Sequence, residues 1–289
     1  MISKQTERLL SEAVAIEEQE AKEAGALGFM ARAMVQATLP HSDPKTNEFR
    51  RKNGNYKLTM LAPSDVGLPF GTIPRLLLAW ISTEAVRTQS KVLVLGDTLS
   101  EFMRELGMVP TGGRWGTITR LREQAKRLFS CHITLGYREG AQDRIKNITI
   151  VDEACLWWTP PDPDQSGLWA STIELNEKFY QEVVNSPVPV DMRALKALKK
   201  SPLALDVYCW LTYRLSYLKD TTVIPWALLS AQFGAGYALP RQFKAAFTEA
   251  LHRVSVVYPE AKALPTPQGL ELKPSPPHIA RKGKTLLTG

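Results

Sequence analysis

The sequence predicts a mostly helical α+β fold built twice over in 289 residues. Three observations carry this. Apolar residues recur at helical spacing in segment after segment. Each half contains a short helix, a glycine-bearing turn, a basic helix and a hairpin, in that order. A Pro/Asp-rich stretch, residues 159–167, divides the halves. At about 100–200 residues per domain the length suits two domains. With 44% hydrophobic and 22% charged residues, both have apolar material for a core.

In chain order, residues 3–37 read as helix, rich in Ala, Glu and Lys, with a weak break at Gly25 and Gly28. This amphipathic arm suggests self-association. Residues 39–48 read as loop. Asn53-Gly54 lies between Phe49-Arg-Arg-Lys52 and the alternating Asn55–Met60, a hairpin with a tight turn. Three helices follow: Ile73–Arg87 with Pro74 in its first turn, Thr98–Leu106 with Thr98 as N-cap and Glu101 three residues on, and Trp115–Ser130 after Gly112-Gly113. Ile118, Leu121, Ala125 and Leu128 form the third helix's buried stripe. Val94-Leu95 reads as a short strand, and Cys131–Tyr137 and Lys146–Val151 as a hairpin.

The second half offers a strand at Leu168–Leu175 and helices at Asn176–Val184, Asp191–Lys199, Pro202–Leu218, Pro225–Phe233 and Leu239–Val256. Trp210 parallels Trp80. Phe243, Phe247, Leu251 and Val254 make a buried stripe, and Leu264 with Leu270–Leu272 suggests a second hairpin. A basic tail, residues 281–289, ends the chain.

Lys plus Arg number 36 and Asp plus Glu 29, a net charge of +7. Residues 1–30 carry −3, from Lys4, Arg8 and Lys22 against Glu7, Glu12, Glu17, Glu18, Glu20 and Glu23, so the remainder carries +10. The excess points to an anionic partner, nucleic acid first and a membrane surface second. A helix in the major groove needs one face for its own core and one for DNA, and both basic helices have two such faces. Arg114, Thr117, Arg120, Arg122 and Lys126 are candidate DNA-binding residues of the first, and Arg241, Gln242, Lys244 and Thr248 of the second. Arg138, Arg144 and Lys146 would reach DNA from the first hairpin as a wing. The competing reading is that helix surfaces carry Arg and Lys for solubility alone.

No catalytic, metal or cofactor site is expected. Gly112-Gly113-Arg114-Trp115-Gly116 lacks phosphate-loop spacing, and Gly283-Lys284-Thr285 has His278 where a P-loop needs glycine. The histidines, His41, His132, His252 and His278, are too dispersed for a metal motif, and no CxxC occurs. Asp162-Pro-Asp164 reads as solvated linker. Six of the seven tryptophans, Trp80, Trp115, Trp157, Trp158, Trp210 and Trp226, read as core rather than as base-stacking platforms. Three scattered cysteines, the acidic N-terminus and the absence of a long apolar run predict a reducing, cytoplasmic setting with no membrane partner.

Residues 31–131 resemble the plasmid-encoded RepA-type replication initiator family. The stretches are Ala31-Arg-Ala-Met34, Leu39-Pro-His-Ser42, Phe49–Gly54, Gly67-Leu-Pro-Phe-Gly71, Pro74–Trp80, Thr83-Glu84 and Gly113-Arg-Trp-Gly116. A looser likeness continues to about residue 258. The resemblance implies two tandem winged-helix domains with β-hairpin wings. These would span 46–162 and 163–280, after an arm and loop at 1–45. It implies sequence-specific binding to directly repeated sites (iterons) at a plasmid origin, help in opening the origin, and recruitment of host replication initiator and helicase proteins. It also implies autoregulation by a homodimer, and no enzymatic activity. A transcriptional repressor without an initiation role, a nicking enzyme with an unrecognised site and a protein-interaction scaffold are the alternatives.

Overall fold

The computed structural model describes residues 4–140, 142–156, 171–234 and 236–279. The Pro/Asp-rich stretch with its proposed domain boundary, Asp162 and Asp164, Trp157 and Trp158, and the basic tail lie outside them.

The first half runs α1 (Lys4–Glu18), β1 (Leu27–Ala31), α2 (Arg32–Gln36), β2 (Glu48–Asn53), β3 (Tyr56–Leu61), α3 (Thr72–Thr88), β4 (Val92–Val94), α4 (Leu99–Glu105), α5 (Thr117–Phe129), β5 (His132–Glu139), β6 (Gln142–Ile148), β7 (Val151–Cys155) and β8 (Thr172–Leu175). The second runs α6 (Glu177–Asn185), β9 (Pro187–Asp191), α7 (Met192–Leu198), α8 (Pro202–Leu215), β10 (Thr222–Pro225), α9 (Trp226–Phe233), α10 (Pro240–Val257), β11 (Ala263–Pro265) and β12 (Gly269–Leu272).

Set aside the hairpins β2–β3 and β5–β6, and both halves have one element order: helix, strand, helix, helix, strand, helix, helix, strand, strand. Their sheets agree as well. The first is ordered β4-β8-β7 and the second β10-β12-β11, so in each the last strand lies between the other two. β1 and β9, equivalent in the two halves, pair antiparallel with each other. The extra hairpins join into a four-stranded sheet, β2-β3-β5-β6, which has no counterpart among the described residues of the second half.

Local chemistry sets many of the ends. Thr98, Asn176, Asp191 and Ser201 cap α4, α6, α7 and α8 through side-chain oxygens that accept backbone N–H bonds. Proline opens α8 and α10, where it has no intrahelical N–H to lose. In the β2–β3 turn the central residues are Gly54 and Asn55, and Gly54 adopts a φ of +56° that favours glycine.

α3 and α8 are buried through their middles, from Pro74 to Ser82 and from Leu203 to Thr212, and apolar there on most sides apart from Arg75 and Asp206. Each carries an equivalent tryptophan set edge-on to a phenylalanine of the next helix. Trp80 meets Phe102 at 5.0 Å and Trp210 meets Phe233 at 5.5 Å. Buried residues of both halves form one continuous cluster.

A buried charge network ties α3 to α8. The Arg75 guanidinium donates to both carboxylate oxygens of Asp206, at 2.7 and 2.8 Å, and to the carbonyls of Leu39, Pro40 and Gly71. His41 Nε2 lies 2.8 Å from Asp206 Oδ2. Burial alone would raise the Asp206 carboxyl, but the Arg75 charge and the bonds from His41 and Arg75 outweigh it and hold it below the ordinary value.

For His41 burial wins over Asp206 and lowers its pKa from the ordinary 6.5. The folded state therefore disfavours the imidazolium. The stability it contributes is complete above about pH 6.5 and drains away as pH falls below that value. The melting temperature should drop between pH 7 and pH 5, and His41→Gln should make the decline shallower. His278, also lowered by burial, keeps part of it. Parallel profiles for the two proteins would show that His41 does not take up a proton on unfolding.

Four expectations need correction. Residues 3–37 are not one helix: α1 ends at Glu18, and residues 27–31 form a strand because β9 supplies the partner. The arm folds back onto α7 and α10, where Arg193 donates to the carbonyls of Ala15 and Gln19. The strand ending at Leu175 pairs with β4 and β7 of the first half, not with second-half strands. The hairpin expected as a wing after α5 joins β3, so Arg138, Arg144 and Lys146 sit in the four-stranded sheet.

Candidate nucleic-acid interface

α5 is held by a one-sided apolar stripe. Leu121, Ala125 and Leu128 are buried, Ile118 is half-buried, and buried Gln124 accepts a bond from the Phe70 N–H at 2.9 Å. Its opposite face exposes Arg120, Arg122, Glu123 and Lys126, and none of these makes an ion pair among the described residues. Arg122 and Lys126, one turn apart, line a groove whose other wall is β7, at Val151, Asp152 and Ala154. Arg127 turns inward instead. It donates to the Leu68 carbonyl at 3.2 Å and lies over the Phe70 ring.

The loop between α4 and α5 is tied by hydroxyls. Thr117 Oγ1 donates to the Val109 carbonyl at 2.6 Å and accepts from the Thr111 N–H, while Thr111 Oγ1 accepts from the Thr117 N–H. Thr117 thus shapes the entry to α5 with its own hydroxyl. A Cβ on Gly116 would fall on the Thr111 carbonyl, and Gly113 has a φ of +85°; the two glycines permit this tight approach. The same loop lifts Trp115 into solvent, 81% exposed, with the Arg114 guanidinium 5.1 Å from its ring centre. Trp115 is therefore not core, contrary to expectation, whereas Trp80 and Trp210 are. No pattern in the sequence separates them, because the turn that exposes Trp115 is set by the threonine bonds.

α10 has the same construction. Phe243, Phe247, Ala250, Leu251 and Val254 are buried, and Arg241 and Gln242 stand exposed in its first turn. Lys244 lies over the Trp226 ring at 5.0 Å, and Thr248 is half-buried. Neither α5 nor α10 has an acidic residue in its first turn. Arg120 and Arg241 instead stand near the positive end of the helix dipole, a mildly unfavourable placement that an anion would relieve.

The wing candidates are placed differently. Arg138 faces Asp143 across the β5–β6 turn at 3.8 Å, Arg144 is exposed on β6, and Lys146 bonds Glu182 of α6 at 3.1 Å. They lie on the four-stranded sheet, whereas the groove beside α5 is walled by β7 of the β4-β8-β7 sheet. Cys131 is buried, its thiol pushed up to about 12 by burial, and His132 beside it is exposed. Among the described residues no group of three or more His, Cys, Asp or Glu is arranged to hold a metal, and no helix is long and apolar enough to cross a membrane.

Residues 68–227, more than half of the chain, match the family described as plasmid encoded RepA protein. The chain belongs to the plasmid-encoded RepA-type replication initiator family. The matched span runs from just before α3 to the start of α9, so it contains α5 but stops short of α10. Two solved structures share the fold. A crystal structure of domains 2 and 3 of RctB, in selenomethionine form, has a TM-score of 0.54 at 10% identity and covers 83% of this chain and 97% of its own. A crystal structure of RctB domains 2–3 has a TM-score of 0.50 at 12% identity, covering 83% and 96%. No curated protein sequence matches this RepA-family chain.

Proposed function

We propose that this RepA-family initiator binds duplex DNA sequence-specifically through two tandem winged-helix domains, with α5 and α10 as reading helices. The observation that carries the reading is the repeat. Each half places an amphipathic helix, buried on one face and basic on the other, directly after a short helix. With the β5–β6 hairpin set aside, each follows that pair with two strands, the second of which lies between the first and an earlier strand. The domains turn over at Asn176, between β8 and α6. Arg120, Arg122 and Lys126 of α5 and Arg241 and Gln242 of α10 face the DNA, with Lys244 and Thr248 beside them and Arg114 at the entry to α5. The groove between α5 and β7 receives a phosphate strand on the Arg122 and Lys126 side.

Two linked readers suit directly repeated origin sites, because the first contact makes the second intramolecular. On this reading the protein opens the origin and recruits host replication initiator and helicase proteins as a cytoplasmic monomer, and represses its own gene as a homodimer. It performs no catalytic step.

A footprint of the purified chain on its own replicon DNA, repeated across a salt series, tests this. The expected result is protection of evenly spaced repeats that survives competitor DNA and weakens as salt rises. Uniform or absent protection overturns it, and protection without support of origin replication in a host leaves a repressor.

A further inference from the structure

We infer that the outer face of the four-stranded sheet is a third DNA-contacting surface, one that holds phosphates through Lys52 and Lys57. The inference rests on the DNA-binding reading above and extends it to an element found, among the described residues, in the first half alone.

Strand alternation separates the two faces. Phe49, Arg51, Leu58, Met60, Ile133, Leu135 and Ile148 are buried on the inner side. Arg51 also donates to the Phe233 carbonyl at the end of α9. The alternate positions point outward: Arg50 and Lys52 on β2, Lys57 and Thr59 on β3, Thr134 and Gly136 on β5, Ile145 and Asn147 on β6. The register sets Lys52 directly opposite Lys57. Like charges so placed destabilise a sheet, and neither lysine makes an ion pair among the described residues. Their neighbours on this face do: Arg50 pairs with Glu48, and Arg138 faces Asp143. The uncompensated charge is thus confined to one cross-strand pair.

The next place in that row, beyond Lys57, is Gly136. No crowding requires glycine there, since a Cβ would meet only the Lys57 Cβ at an ordinary 3.8 Å. Its effect is to leave the lysine uncovered, as at strand positions where another backbone approaches closely. An anion between the two ammonium groups would remove their repulsion.

Chemistry and position favour DNA over an acidic protein as the occupant. Thr134 donates to the Asn147 side-chain oxygen, so the Asn147 amide nitrogen keeps its N–H groups for other acceptors. Thr59 and Asn147 beside the lysines supply the donors that typically fix phosphates. Among the described residues, large exposed apolar side chains on the face are limited to Leu61 and Ile145 at its margins, whereas the core of a protein interface is apolar and poor in lysine. β2 packs against α9, the helix immediately before α10, so the insert adjoins the second pair of helices.

The test uses the full chain, the Lys52→Gln/Lys57→Gln variant and the charge-keeping Lys52→Arg/Lys57→Arg variant. Each is measured against an origin duplex and an unrelated duplex across a salt series. The glutamine variant should melt at the same temperature or higher and lose affinity tenfold or more for both duplexes alike. The slope of log affinity against log salt should fall by nearly two, at about 0.9 per phosphate contact. The arginine variant should keep the wild-type slope. Unchanged affinity and slope in the glutamine variant, with the wild type binding normally, would overturn this inference alone. A wild type that binds no duplex would overturn the DNA-binding reading itself.

Discussion

Asp206→Ala is expected to lower the stability of this protein by about 3–5 kcal/mol, a fall in melting temperature on the order of 10 °C for a chain of this size. Asp206 is 8% exposed and takes both hydrogen bonds of the Arg75 fork. Without it the guanidinium, 4% exposed, keeps only the carbonyls of Leu39, Pro40 and Gly71. A carbonyl accepts a bond but does not neutralise a charge, so the cation is left buried and uncompensated. Replacing both partners, Arg75→Met with Asp206→Leu, should recover most of the loss, because the desolvation cost then vanishes with the charges. Chemical and thermal unfolding of the three variants reads this out. A single-variant loss under about 1 kcal/mol, the range of exposed pairs, would mean that water reaches the network.

Arg122→Ala with Lys126→Ala should leave the melting temperature unchanged, since both side chains are exposed and unpaired among the described residues. Affinity for the origin duplex should fall about thirty-fold or more, from about 1–3 kcal/mol for each of the two base-reading contacts. If the pair grips phosphates instead, affinity should fall equally on unrelated DNA and the salt slope should drop. Titrations on both duplexes separate the two cases. Unchanged affinity in the folded double variant would remove α5 from the interface.

The stretches that carry the family resemblance act mainly inside the fold. Leu39, Pro40, His41, Gly71 and Arg75 all belong to the Asp206 network. Arg51 reaches α9, and Trp80 packs on Phe102. Gly113-Arg-Trp-Gly116 lies at the candidate interface, where its glycines permit the turn that exposes Trp115, and Lys52 of Phe49–Gly54 lies on the outer sheet face. The motifs therefore identify the family through its architecture and say little about which bases are read.

The sequence by itself determined the elements whose signals are local. α3, α4, α5, α8, α9 and α10 follow from apolar periodicity, caps and prolines within a few residues. The β2–β3 hairpin and the β11–β12 pair follow from alternation around a turn. The buried and exposed faces of α5 and α10 were legible for the same reason, since helical spacing alone sorts them. Tertiary structure decided what depends on partners distant in the chain. Leu27–Ala31 is a strand because β9 lies beside it, and the strand ending at Leu175 belongs to the first half because β4 and β7 accept it. The hairpin bearing Arg138, Arg144 and Lys146 joined β3, which removed it from the sheet beside α5. A strand's hydrogen bonds are satisfied by whichever edge is available, and nothing within its own residues names that edge. The opposition of Lys52 and Lys57 was implicit in the hairpin register, but its exposure and lack of a counter-ion emerged only when the sheet's inner face was buried.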